Sequence, residues 1–174
     1  MTVHEIYSTL SDQMLQGVML HEEFADYYAF LGLCGYKKFH ERRYKLESEG
    51  YRKLHRYFIE HHNHLIKRPT VVRDDIIPAD WYNHSRFDVD VSTLRMAVKT
   101  GMEKWVGWER STKMLMEQMH GELMKIGEVA SAMFLKEMIC EVDEELREAE
   151  EYWMNKKLSD YSIESIMADQ EKRW

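Results

Sequence analysis

At 174 residues, with 44% hydrophobic and 12% aromatic side chains, the chain carries ample apolar surface for one packed core, and a single domain over 1–174 is expected. Its net charge of −7 excludes a general nucleic-acid binder, because phosphate binding needs a concentrated basic surface. No segment approaches the roughly 18 apolar residues of a membrane span, and Met1 to Leu20 carries Glu5 and Asp12 with no unbroken apolar run, so neither a membrane segment nor a signal peptide is expected.

The first predicted helix spans about 3–33, where Ile6, Leu10, Met14, Gly17, Leu20, Phe24, Tyr27, Tyr28 and Leu31 recur three and four apart. Gly32 and Gly35 punctuate it. A second helix, about 37–65, repeats the period with Phe39, Tyr44, Tyr51, Leu54, Phe58 and Leu65, and so short a break implies an antiparallel pair.

The period is lost over about 67–92, which holds both prolines, Pro69 and Pro78, together with Asp74-Asp75 and Asn83-His84-Ser85. So long a stretch without regular structure signals a crossover or a functional segment, and it is long enough to connect two helices that run parallel. Ser92 reads as the N-cap of a third helix, about 93–126, with Met102, Trp105, Glu109, Thr112, Met116, Met119, Leu123 and Ile126 in unbroken alternation. Gly127 marks a tight turn into a fourth, about 129–157, and a short helix over about 162–173 follows. Cys34 and Cys140 have no neighbouring cysteine, which points to buried free thiols and a reducing, cytoplasmic compartment.

Four glutamates sit inside these apolar stripes, one per long helix. Glu23 stands among Leu20, Tyr27 and Phe30; Glu47 among Tyr44, Tyr51 and Leu54; Glu109 between Trp105 and Thr112; Glu141 beside Phe134 and Met138, one turn before Glu145. A carboxylate inside a bundle is costly unless paired, protonated or bound to a cation. A carboxylate cluster holding iron or manganese, hard ions that take oxygen ligands, accounts for all four, with Glu145 or Glu49 as a further ligand. Solvated acids on broad helix faces are the plain alternative for each. An inward-turned Arg52 neutralising a carboxylate without metal is another. Glu60-His61-His62-Asn63-His64 reads as a polar helix end with imidazoles near the carbonyl terminus, although His61 and His64, one turn apart, suit a transition metal.

The stretch Glu23-Phe24-Ala25-Asp26-Tyr27-Tyr28-Ala29-Phe30-Leu31 resembles the first-helix pattern of ferritins, in which a ligand glutamate precedes an aromatic-rich run. Trp108-Glu109-Arg110-Ser111-Thr112 is similar to the family's third-helix ligand segment, and Phe134-Leu135 followed by Glu141, Glu144 and Glu145 to its fourth-helix acidic motif. Ile77-Pro78-Ala79-Asp80-Trp81 is similar to the family's crossover. The resemblance, over about Gln13 to Trp153, implies an all-α, ferritin-like antiparallel four-helix bundle with a long crossover between helices two and three and a short C-terminal helix. It implies metal ligands at Glu23, Glu109 and Glu141, Fe(II) oxidation or iron storage, and a homo-oligomer.

The chain departs from the family pattern at two positions. Gly50 follows Glu47 by three residues and Arg52 follows Glu49 by three, so the Glu-x-x-His pair of ferritin-like di-iron sites is absent. Val142 stands where the family has a glutamine. These departures imply the alternative of a non-catalytic ferritin-like structural or interaction module whose di-iron site is degenerate.

Overall fold

Thr2 opens the first helix with a capping box: its hydroxyl accepts from the Glu5 backbone N–H at 3.2 Å, and the Glu5 carboxylate accepts from the Thr2 N–H at 2.7 Å. The computed structural model describes residues 1–67, 85 and 88–172. Five helices follow in order, α1 (Val3–Phe30), α2 (Cys34–His62), α3 (Val91–Lys125), α4 (Val129–Leu158) and α5 (Ile163–Gln170). The expected all-α bundle is what forms.

The boundaries differ from expectation for local reasons. Gly32, at φ 74°, reverses the chain after α1, whereas Gly35 lies inside α2 instead of breaking it. A Cβ at Gly35 would sit 2.7 Å from the Gln170 Cα, so the glycine lets α5 pack against the start of α2. Asn63 ends α2 in the left-handed region at φ 55°. Asp90, not Ser92, caps α3, its carboxylate accepting from the Thr93 N–H at 2.7 Å. Gly127, at φ 80°, makes the predicted turn into α4, and α5 ends at Gln170.

Cross-helix contacts fix the directions. Tyr7 packs on Phe58, Ser11 bonds His55 and His21 bonds His40, so α1 and α2 are antiparallel. Gln13 bonds Thr112 and the Tyr27 hydroxyl donates to the Ala97 carbonyl, so α1 and α3 are antiparallel. Consequently α2 and α3 run parallel. Most of the chain between them lies outside the described residues, including Pro69, Asp74-Asp75, Ile77-Pro78-Ala79-Asp80-Trp81 and Asn83-His84.

The core is divided in two. One apolar cluster gathers Phe24, Tyr27, Tyr28, Phe39, Val98, Met102 and Trp105 at the α5 end. The other gathers Ile6, Leu10, Met14, Leu54, Phe58, Met116, Leu123 and Met138 at the opposite end. Between them every long helix contributes polar residues: His21 from α1, His40, Arg43 and Glu47 from α2, Glu109 and Thr112 from α3, and Glu145 from α4. Cys34 and Cys140 are free thiols but exposed, not buried, because each lies on the outward face of its helix. Among the described residues no helix is long and apolar enough to cross a membrane.

Candidate metal centre

The polar layer brings His21, Glu47 and Glu109 together, with one donor atom from each inside a 4.8 Å circle of mutual distances. His21 Nε2 faces Glu109 Oε1 at 4.0 Å, and both side chains are essentially inaccessible. That Nε2 has no hydrogen-bond partner, although His21 is fully buried. Buried nitrogens are normally satisfied, so an Nε2 left without a partner beside the Glu109 carboxyl group is an exception that calls for an explanation.

Other side chains fix the three donors. His21 Nδ1 lies 2.9 Å from His40 Nδ1. Trp105 Nε1 donates to Glu109 Oε1 at 2.9 Å. Gly17 leaves room for Glu47, since a Cβ there would lie 3.2 Å from Glu47 Oε2 and 3.1 Å from the Trp108 ring. A small helical residue is what admits the carboxyl group.

Burial sets the protonation states. Desolvation, reinforced by the Glu145 and Glu109 charges and opposed by Arg43, pushes Glu47 up to about 8. Desolvation and Glu145 push Glu109 up to about 7, against the Trp105 hydrogen bond and Arg43. Burial, helped by Arg43, holds the His21 imidazole down at about 3, hence neutral. A neutral imidazole beside two carboxyl groups whose protons burial retains is a group of three donors that could hold a metal ion.

Not every expected residue joins it. Glu47 and Glu109 do. Glu23 is buried but stands outside the group, because residues two apart on a helix project about 200° apart and His21 takes the inward position. Glu141 is displaced to the surface, where its side chain is 60% exposed and pairs with Lys53 at 3.1 Å. Glu49 is likewise exposed, on the outer wall of a groove between α2 and α4. Glu145 does reach the layer, but Arg43 Nη1 binds it at 2.5 Å. The inward arginine is therefore Arg43 and not Arg52, which is exposed. At the α2 end, His62 bonds Ser131 at 3.1 Å and His61 stacks on Tyr57.

No protein-family model matches this chain. No curated protein matches it either. Solved structures do. An engineered closed form of the Archaeoglobus fulgidus ferritin superposes with a TM-score of 0.77 at 15% identity, over 98% of this chain and 96% of that one. A ferritin from the multicellular green alga Ulva pertusa gives a TM-score of 0.80 at 15% identity, over 97% of this chain and 81% of that one. The open-pore ferritin of the hyperthermophilic archaeon Archaeoglobus fulgidus gives 0.77 at 15% identity, over 97% and 94%.

The chain has the ferritin-like fold. In this ferritin-like bundle the three converging donors come from α1, α2 and α3, while the α4 acid nearest them, Glu145, is held by arginine. His21, His40 and Arg43 were not singled out by the sequence pattern. The one signal available for them is their place in the gap between the two apolar clusters on α1 and α2.

Proposed function

We propose that this chain is a ferritin-like protein, one domain over 1–174, that takes up iron or manganese in the cytoplasm through His21, Glu47 and Glu109. The fully buried, unpartnered His21 Nε2 facing both carboxyls carries this reading. The donor set fits: one imidazole nitrogen and two carboxylates suit a divalent first-row ion, and the two negative charges offset its charge in a site where water screens poorly. Iron held there would bring its redox chemistry with oxygen, which is the route to Fe(II) oxidation and storage.

The residues have separable tasks. Glu47 and Glu109 would hold the ion as carboxylates, each releasing its proton, and would supply the compensating charge. His21 supplies a neutral donor, His40 holds its ring, and Trp105 anchors one Glu109 oxygen. The apolar clusters close the layer at both ends, and the groove between α2 and α4 leads to it from the side.

Titration of chelator-free protein with anaerobic Fe(II) or Mn(II), followed by calorimetry and metal analysis, tests the site. Binding that is lost in His21→Ala and in Glu109→Gln is expected. Equal binding by all three proteins, or none by the native chain, removes the reading. Air exposure of the Fe(II)-loaded protein then tests oxidation, with ferric absorbance faster than in His21→Ala as the expected result.

The Arg43 clamp favours a second reading, a non-catalytic ferritin-like module in which a buried ion network holds the helices in register. A native chain that binds no metal, yet unfolds readily on Arg43→Ala, would favour it. A homo-oligomer is part of either reading, supported by exposed Met114, Met133 and Met96 on the outer helix faces. Light scattering of the purified chain decides it.

A further inference from the structure

Arg43 is buried, its side chain 8% exposed, and is fixed on two sides. Its guanidinium forks onto Glu145 Oε1 at 2.5 Å and Glu148 Oε2 at 2.6 Å. From behind, the Phe39 ring lies 5.6 Å from Cζ. Glu145 in turn bears on both Glu47 and Glu109 through its charge. Four carboxylates therefore share this part of the layer with one permanent cation, since a guanidinium does not deprotonate in a protein.

The charges balance at a single ion. One divalent ion neutralises Glu47 and Glu109, and Arg43 neutralises Glu145. The remaining negative charge, on Glu148, sits on a side chain 45% exposed, where water screens it. A second divalent ion would leave the buried layer with excess positive charge, while loss of Arg43 would leave it with excess negative charge.

Space for another ion exists next to the arginine. A groove of about 580 Å³ between α2 and α4 is lined by Arg43, Lys53, Glu141, Glu144, Glu145 and Glu148, with Lys53 paired to Glu141. It adjoins an inner cavity of about 50 Å³ that includes Glu47, Gly50 and Glu145 in its walls. Glu145 stands at the junction of the two.

We infer that Arg43 is a built-in counter-ion that limits the layer to one divalent cation, and that Glu145 becomes a ligand for a second divalent cation once the guanidinium is removed. The inference rests on the metal reading of His21, Glu47 and Glu109, and on the orphan Nε2 that points into the same layer.

Ion counting with Mn(II), by calorimetry and by metal analysis after gel filtration, tests it on the native chain, Arg43→Gln, Arg43→Lys and Glu145→Gln. One ion per chain is expected for the native protein, for Arg43→Lys, which keeps the charge, and for Glu145→Gln, which removes an acid already neutralised. Two are expected for Arg43→Gln, with a Mn(II) electron paramagnetic resonance signal broadened by coupling between neighbouring ions. A native count of one with an unchanged count in folded Arg43→Gln overturns this inference and leaves the metal reading intact. A native count of zero with ions in Arg43→Gln overturns the metal reading and, with it, the limit of one ion, whereas a native count of two overturns this inference alone. Zero in both overturns both. Should Arg43→Gln not fold, Glu145→Gln decides: loss of the native ion in that variant makes Glu145 a ligand and overturns the inference.

Discussion

The Nδ1 atoms of His21 and His40 lie 2.9 Å apart in a fully buried layer, so one of the two must donate a proton to the other. Rings of Phe24, Phe39 and Tyr28 surround His40 at centroid distances of 4.7, 5.1 and 5.4 Å, and burial holds both imidazoles neutral. If His21 is to present a lone pair on Nε2, its proton sits on Nδ1 and His40 accepts it.

His40 is thus a positioning residue for His21. His40→Phe keeps an aromatic ring in the aromatic cage but removes the acceptor, and about 10- to 100-fold weaker Mn(II) binding is expected, the usual cost of losing the partner of a ligand histidine. The ¹⁵N shifts of His21 provide a readout that a packing role would not move. They should report the Nδ1–H tautomer in the native chain and a mixture in the variant. Identical His21 shifts in both proteins would refute the assignment.

Affinity for the ion should climb with pH. Glu47 and Glu109, pushed up to about 8 and about 7, must lose their protons to bind. Binding is therefore expected to tighten from about pH 6 to about pH 8.5 and to release protons at the lower end, measured by calorimetry in two buffers of different ionisation enthalpy. The metal-free chain responds in the opposite direction. Its folded form keeps protons that an unfolded glutamate, at its ordinary 4.5, has released, so this contribution to stability is complete below about 4.5 and is lost as pH rises through about 8. A metal-free chain equally stable at the two ends of that window would contradict the placement of these acids.

Glu47 and Glu109 were legible in the sequence because an acid inside an apolar stripe is costly, and the periodicity shows the stripe. His21 was not, because on α1 both His21 and Glu23 have apolar neighbours three and four residues away: Gly17 and Phe24 for one, Leu20 and Tyr27 for the other. Periodicity places both near the core without saying which faces the centre of the bundle. Only the packing of α1 on α3, set by contacts such as Gln13 with Thr112, chooses between them. The same limit explains Glu141 and Glu145. One turn apart on α4, they share a face, but Lys53 draws one outward and Arg43 draws the other inward, and neither partner is near in sequence. The helices themselves were legible because their periodicity, glycines and capping residues are local.

Gly101 on α3 is a tightly constrained helix position. The Tyr28 hydroxyl lies in the space a Cβ would take, and Tyr28 is fully buried among other rings. Alanine normally gains about 1 kcal/mol over glycine in a helix, but overpacking a filled core costs about 1–3 kcal/mol. Gly101→Ala is expected to be destabilised in urea unfolding, and Tyr28→Phe, which removes the obstructing oxygen, should recover stability in the double variant. Additive effects of the two changes would show that the hydroxyl is not the obstacle.

At the end of the bundle, Asp169 fastens α5. Its carboxylate pairs with the buried Lys156, takes a 2.7 Å contact from Lys172, and accepts from the Tyr36 hydroxyl at 2.5 Å. Asp169→Asn would leave the Lys156 ammonium buried without a counter-charge, a loss on the order of 3–5 kcal/mol. Burial by itself raises the Asp169 carboxyl, yet the hydrogen bonds from Lys156, Lys172 and Tyr36 outweigh it and hold the group below its ordinary 3.8. Its contribution is therefore present above about pH 3.8 and is lost as pH falls through the lowered folded value, opposite in sense to the effect of Glu47 and Glu109. On the acid side the buried, neutral His21 and His40, both held below their ordinary 6.5, add a loss of their own as pH falls below 6.5. The metal-free chain should therefore be most stable from about pH 4.5 to about pH 6.5, where this loss and that of Glu47 and Glu109 offset one another. Thermal unfolding measured against pH checks this: Asp169→Asn should make the fall below about pH 3.8 shallower, keep the part that His21 and His40 cause, and leave the alkaline side as it was, whereas an unchanged fall would mean that the α5 ion pairs contribute nothing to stability.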